Sequence, residues 1–153
     1  MTSRLDNAQL GPSVAVVQSH DMPVLQLSRD DLFHVVHRLK DEFAFDLLLD
    51  VTAVDWPLRT PRFDVVYHFY STQHRDRVRI KTVVDSTEPV IDSLTPLYGS
   101  ANFMERECHD MYGIVFRGNP DMRPILLYEG FVGHPLRKDY RKEDEQPLVP
   151  YRM

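Results

Sequence analysis

The stretch FDVVYHFY, Phe63 to Tyr70, decides the fold. Phe63, Val65, Tyr67 and Phe69 alternate with Asp64, Val66, His68 and Tyr70, the two-residue period of a strand that turns one face to a core. RVRIKTVV, residues 77–84, repeats the pattern, with Val78, Ile80, Thr82 and Val84 set against Arg77, Arg79, Lys81 and Val83. Upstream, Phe45–Val54 is an apolar run bounded by Trp56-Pro57. The linkers WPLRTPR and STQHRD are short and polar, so the simplest topology is an antiparallel meander.

Working outward, Ser28 followed by Asp31 resembles a capping box, with the serine hydroxyl offered to orphan N–H groups. Leu32, Val35, Val36, Leu39 and Phe43 then recur at helical spacing, which predicts a helix over 29–43. A short strand is expected at Val14–Gln18 or at Val24–Leu27. Asn102 with Glu105 three residues on is a second cap signature, and Gly113 suits a left-handed C-terminal position, so 103–112 is expected to be helical. The expected fold is α+β, a two-layer, mainly antiparallel sheet covered by helices, with an extended C-terminal tail. The chain divides into a flexible N-terminus (1–13), an α/β core domain (14–116) and an extended partner-binding tail (117–153).

Composition narrows the function. A length of 153 residues fits one domain, and 42% apolar residues suffice for a core without staples. A net charge of −5 and a pI near 5.8 argue against nucleic-acid binding. One cysteine excludes an internal disulfide framework and an all-cysteine iron–sulfur cluster, and suits a reducing compartment. MTSRLDNAQLGPS lacks the apolar run of a signal peptide, and no segment approaches a membrane span, so membrane contact is expected only through partners.

The densest chemistry lies in ANFMERECHDMYGIVF, residues 101–116. Glu105 and His109, four apart on a helix, can share a face, while Glu107 points nearly opposite. Two converging ligands fall short of the three a catalytic zinc site needs, and a Glu–His pair at that spacing is more often a polar surface pair. Cys108 and His109 diverge as adjacent helical residues, and a buried structural thiol is the simpler reading. No phosphate-binding glycine motif occurs. What remains is a mixed-sign surface, readable either as a solvated face or as an interface whose charges fix register.

E-R-E-C-H-D-M-Y-G-I at 105–114, N-P-D-M-R-P-I-L at 119–126 and G-F-V-G-H-P-L-R-K-D-Y at 130–140, with R-F-D-V-V-Y at 62–67 and T-A-V-D at 52–55, together resemble the complex I 30 kDa subunit family. Members of that family belong to the peripheral arm of respiratory NADH–quinone oxidoreductase. The sequence departs from the family at Asn119, where histidine or lysine is usual, and at Pro124, where a basic residue is common. The resemblance implies a non-catalytic peripheral-arm subunit with no flavin, metal or iron–sulfur cluster of its own, FMN and clusters residing in partner subunits. It implies a clamp on the large quinone-site subunit and the adjacent iron–sulfur subunits, at the cytoplasmic face of the bacterial inner membrane. A subunit of a membrane-bound hydrogenase or ferredoxin-dependent complex is the alternative, and a freestanding metal-dependent hydrolase using Glu105, His109 and Asp110 a third. The expected partner interface comprises Glu105, Arg106, Glu107, Asp110, Asn119, Arg123, His134, Pro135, Leu136, Arg137, Lys138, Asp139 and Tyr140.

Overall fold

The computed structural model describes residues 5, 10, 11, 13–19 and 21–146. In chain order the elements are β1 (Ala15–Gln18), β2 (Pro23–Gln26), α1 (Leu32–Asp41), β3 (Leu47–Asp55), β4 (Phe63–Ser71), β5 (Asp76–Val84), β6 (Val90–Asp92), α2 (Ala101–Tyr112) and β7 (Val115–Arg117). A short 3-10 turn follows at Lys142–Asp144.

The meander forms as the alternation requires. β4 pairs antiparallel with β3 on one side and with β5 on the other, Tyr67 opposite Val51 and Ile80. Phe63, Val65, Tyr67 and Phe69 are fully buried, as are Val78 and Ile80 of β5. Each such apolar side chain withdrawn from water contributes roughly 1.5–3 kcal/mol, so this row is the main stabilising feature of the fold. α1 adds Leu32, Val35, Val36 and Leu39 to the same cluster, and α2, packed along β3, adds Ala101 and Cys108. The result is the expected α+β fold.

Details differ from the sequence expectation for local reasons. α1 begins at Leu32 rather than at residue 29, because Ser28 and Asp31 close a turn on each other: the Asp31 N–H donates to Ser28 Oγ at 3.3 Å, and that hydroxyl donates to the Asp31 carboxylate. It ends before Phe43, and Ala44 at φ +56° turns the chain into β3. β3 starts at Leu47 and carries a bulge at Leu49, between the paired Leu48 and Asp50. Both N-terminal strand candidates form, and β2 joins β5 in parallel, giving the sheet order β1-β2-β5-β4-β3. β6 and β7 pair in parallel, an arrangement that no local sequence pattern announces. α2 starts two residues early, so Asn102 lies inside the helix rather than at its cap, and Ser100 there makes no side-chain cap bond.

Most of the segment read as a flexible N-terminus lies outside the described residues. Within it Leu5 and Leu10 are buried in the core cluster. Residues 147–153 of the tail also lie outside the described residues.

Candidate functional site

Helical geometry sorts the charges of α2. Ala101, Glu105 and Cys108 point into the core, while Phe103 and Glu107 face outward. Glu105 is completely buried, and three donors meet it: the Leu94 N–H (2.7 Å), the Ser93 hydroxyl (2.7 Å) and the Asn119 side-chain amide (2.8 Å). Burial raises its pKa, and those donors oppose the rise. Asn119 reaches Glu105 as a neutral amide, so this hydrogen bond brings no positive charge to the carboxylate.

Arg106 and Asp110 hold the next loop from its other side. Arg106 donates from Nε to the Arg123 carbonyl (2.9 Å) and from Nη2 to the Pro124 carbonyl (3.1 Å), and lies 3.5 Å from Asp121. The Asp110 carboxylate is buried, and its Oδ2 accepts the consecutive N–H groups of Ile125 (2.9 Å), Leu126 (2.8 Å) and Leu127 (3.2 Å). Asp121 accepts both the backbone N–H and the guanidinium of Arg123, which hold its pKa far below the usual carboxylate range. Pro124 contributes its carbonyl, so that contact does not depend on a basic side chain.

The GHPLRKDY segment closes the other end of the helix. The last turn of a helix leaves carbonyls without intrahelical partners. Here the His109 carbonyl accepts the Gly113 N–H (2.7 Å), Asp110 the His134 ring Nδ1–H (3.0 Å), Met111 the Leu136 N–H (3.1 Å) and Tyr112 the Arg137 Nε–H (2.6 Å). A cation at this pole also suits the helix dipole. Gly113 is required twice over: its φ is +73°, and a Cβ would sit 2.4 Å from His134 Nε2 and 2.5 Å from Arg137 Nη2. Burial, with the charge of Arg137 beside it, lowers the His134 pKa.

Asp55 ties this segment back to the sheet. Its carboxylate receives the Arg62 guanidinium in a fork (2.6 and 2.7 Å) and the Lys138 N–H (2.7 Å), while Arg62 also reaches Asp139 (2.8 Å). The Arg62 hydrogen bonds depress the Asp55 pKa despite its burial.

The structure therefore gathers the sequence-selected residues into two internal lattices. Glu105, Arg106, Asp110, Asn119 and Arg123 organise residues 119–127, whereas His134, Leu136, Arg137, Lys138 and Asp139 dock 134–139 on α2, β3 and β4. Tyr140 stacks on Phe131 and bonds the Asp144 carbonyl. Glu107 is exposed, Pro135 half-buried, and the Lys138 side chain exposed. As the expected partner-facing groups, Glu105 and Asp110 are corrected: both are interior and serve the chain's own backbone. The Glu105–His109 pair does not form either, because His109 Nδ1 donates to the Ile114 carbonyl instead (2.9 Å). Cys108 is buried, which pushes its thiol pKa up and away from reactivity. Among the described residues no three His, Cys, Asp or Glu side chains converge as a metal site. No helix among them is long and apolar enough to cross a membrane.

Two participants were underweighted in the sequence. Asp55 and Arg62 bracket the β3–β4 connection with opposite charges, and that bracketing is a readable signal. Ser93 and the helix-end carbonyls have no side-chain pattern that announces them. Outward, the lattices leave Phe103, Ile125, Leu126, Val132 and Leu136 exposed.

Fold and site define a class: a small α+β protein whose charged motifs hold an apolar-studded surface in place. A family model described as the respiratory-chain NADH dehydrogenase 30 Kd subunit matches residues 25–146, and the chain belongs to this family. It is 40% identical over 137 residues to an NADH-quinone oxidoreductase subunit of Moorella thermoacetica, covering 90% of this chain and 92% of that one. Identity to the same-named subunit of Methylorubrum populi is 43% over 143 residues, covering 92% of this chain and 64% of the relative. A mitochondrial NADH dehydrogenase [ubiquinone] iron-sulfur protein 3 from Candida albicans is 53% identical over 96 residues, spanning 63% of this chain but only 34% of its own length. Among solved structures, the trypsin-resistant fragment of Nqo5 superposes with a TM-score of 0.66 at 30% identity, over 71% of this chain and 89% of that one. A chain of the membrane-bound sulfane sulfur reductase, an archaeal respiratory membrane complex, gives 0.77 at 25% identity, over 88% and 81%.

Proposed function

We propose that this chain is a non-catalytic scaffold subunit in the peripheral arm of a proton-translocating NADH:quinone oxidoreductase. In this reading it clamps the large quinone-site subunit to neighbouring iron–sulfur subunits at the cytoplasmic face of the inner membrane, while FMN and the clusters reside in its partners. The observation that carries the reading is how the motif charges are used. Glu105, Arg106, Asp110, Asp55 and Arg62 hold the chain's own segments, and those segments display apolar side chains to the outside. Rigidly presented apolar side chains suit a stable interface, where about 1,200–2,000 Å² or more becomes buried. Fixing the neighbouring subunits in this way keeps redox centres at constant separation.

The likeness to a chain of the sulfane sulfur reductase complex supports one second reading, an equivalent subunit in a membrane-bound complex with a different electron donor, such as hydrogen or ferredoxin. The freestanding hydrolase finds no support in the geometry, because the Glu105 oxygens are already occupied by backbone and side-chain donors. The test is deletion of the gene with tagged complementation. The scaffold reading expects NADH:quinone reductase activity of the membranes to vanish and return with the chain, and the tagged chain to bring down flavin- and cluster-bearing subunits. Full activity without the chain would contradict it.

A further inference from the structure

Beside the docked segment lies an open cavity of about 500 Å³, lined by Val132, His134, Arg137, Asp139, Tyr140 and Asp144 among others. Arg137 is the residue there whose bonding is incomplete. A guanidinium carries five N–H donors. Nε–H goes to the Tyr112 carbonyl and the group lies 5.3 Å from the centre of the Phe63 ring, but among the described residues Nη1 and Nη2 have no hydrogen-bond acceptor and no carboxylate within ion-pair distance. Asp55 and Asp139 are both engaged by Arg62, and Asp144 on the rim pairs with no cation among the described residues. Burial first, then the like charge of Arg62, lowers the Arg137 pKa, against the opposing charges of Asp139 and Asp55.

We propose that this cavity is a socket for one acidic side chain of a neighbouring subunit, which Arg137 receives through its free Nη donors. The inference rests on the reading that the chain works inside a multisubunit complex, and adds the chemistry of one contact. A planar guanidinium binds a carboxylate through two parallel hydrogen bonds, which fixes orientation as well as charge. Nε is already anchored to the end of α2, so the fork is oriented before the partner arrives. The Phe63 ring lies 5.3 Å from the guanidinium, and the cavity that Arg137 helps to line is large enough for a Glu or Asp side chain.

The test uses the full chain in its complex. Arg137→Gln should lower recovery of the assembled complex from solubilised membranes by about tenfold or more, the scale for truncating one partner of a hydrogen-bonded interfacial charge pair. Arg137→Lys should recover part of that loss. In the complex carrying Arg137→Lys, a zero-length amine–carboxylate coupling reagent should then join the introduced amine to an Asp or Glu of another subunit. Because Arg137→Gln also removes a helix-end contact, its thermal midpoint as a free chain is measured beside wild type. Should it unfold, the unmodified protein decides: phenylglyoxal should label Arg137 readily in the free chain and about tenfold more slowly in the complex. Normal assembly of Arg137→Gln, coupling only to Asp139 or Asp144 of the same chain, or equal labelling free and assembled overturns the socket while leaving the scaffold reading intact. A wild-type chain that brings down no partner overturns both.

Discussion

The meander and the region after residue 100 belong to one molecule but are held by different forces. Between Leu47 and Val84 order comes mainly from apolar side chains withdrawn from water on one sheet face, with Asp55, Asp64, Ser71 and Thr82 the polar side chains buried alongside them. Between Glu105 and Tyr140 few apolar groups are buried, and order comes from carboxylates and guanidiniums bonded to backbone groups. The first kind of order is cooperative and tolerant of which apolar residue supplies the burial. The second depends on individual donors and acceptors, because a buried group left without its partner is costly. This explains how two carboxylates of so charged a motif, Glu105 and Asp110, can be interior.

The largest expected effect is on the first region. Phe69→Ala removes a fully buried ring from β4 and should cost about 3–5 kcal/mol, lowering the midpoint of unfolding of the whole chain. If only one half of the chain melted earlier, the two regions would be independent rather than built on one sheet. Arg62→Ala comes next. It leaves Asp55 buried without its cation, a change worth about 3–5 kcal/mol for a buried pair, and should expose the backbone around Lys138 to protease before the sheet unfolds. Resistance equal to wild type would show that the tail is held by other contacts.

Two of the buried carboxylates, Asp55 and Glu105, give opposite responses to pH. The Asp55 pKa is depressed in the folded state, so its stabilisation is complete above the ordinary aspartate value near ~4 and is lost as pH falls through the depressed value. The Glu105 pKa is raised, so the folded chain holds that proton more tightly, and stability declines as pH rises from the ordinary glutamate value of about 4.3 through the raised one. Thermal midpoints across this range should show Glu105→Gln losing the second decline while keeping the acid limb. A profile unchanged in both limbs would place Glu105 outside the titrating core.

How much of this was legible follows from the same division. Alternation at Phe63–Tyr70 and Arg77–Val84 specifies strands because the signal lies in each strand's own residues. The parallel partnership of β2 with β5 is set by a distant segment, and no local pattern carries it. At the site, the residues were legible but not their direction. Charged residues on a short helix normally face solvent, and nothing within ERECHD says that the backbone of 125–127 and the side chain of Asn119 arrive to bury two of the carboxylates. The cap was misread for a related reason: Asn102 has the right spacing to Glu105, but Glu105 is drawn inward by Ser93 and Leu94, and the helix starts before it. The smallest expected effect lies there. Asn102→Ala should change stability by less than about 0.5 kcal/mol, against the ~1 kcal/mol of a true cap, and a larger loss would restore Asn102 to that role.

The most direct test of internal use of the charges is amide hydrogen exchange on Asp110→Ala in the lone full-length chain. Asp110 holds three consecutive N–H groups, so exchange at Ile125, Leu126 and Leu127 should accelerate by about tenfold or more, the scale of one lost hydrogen-bond partner. The amides of β4 and β5 should keep their protection. Unchanged exchange at those three amides would mean that Asp110 does not hold the loop, and the charged motif would then revert to a surface waiting for partners.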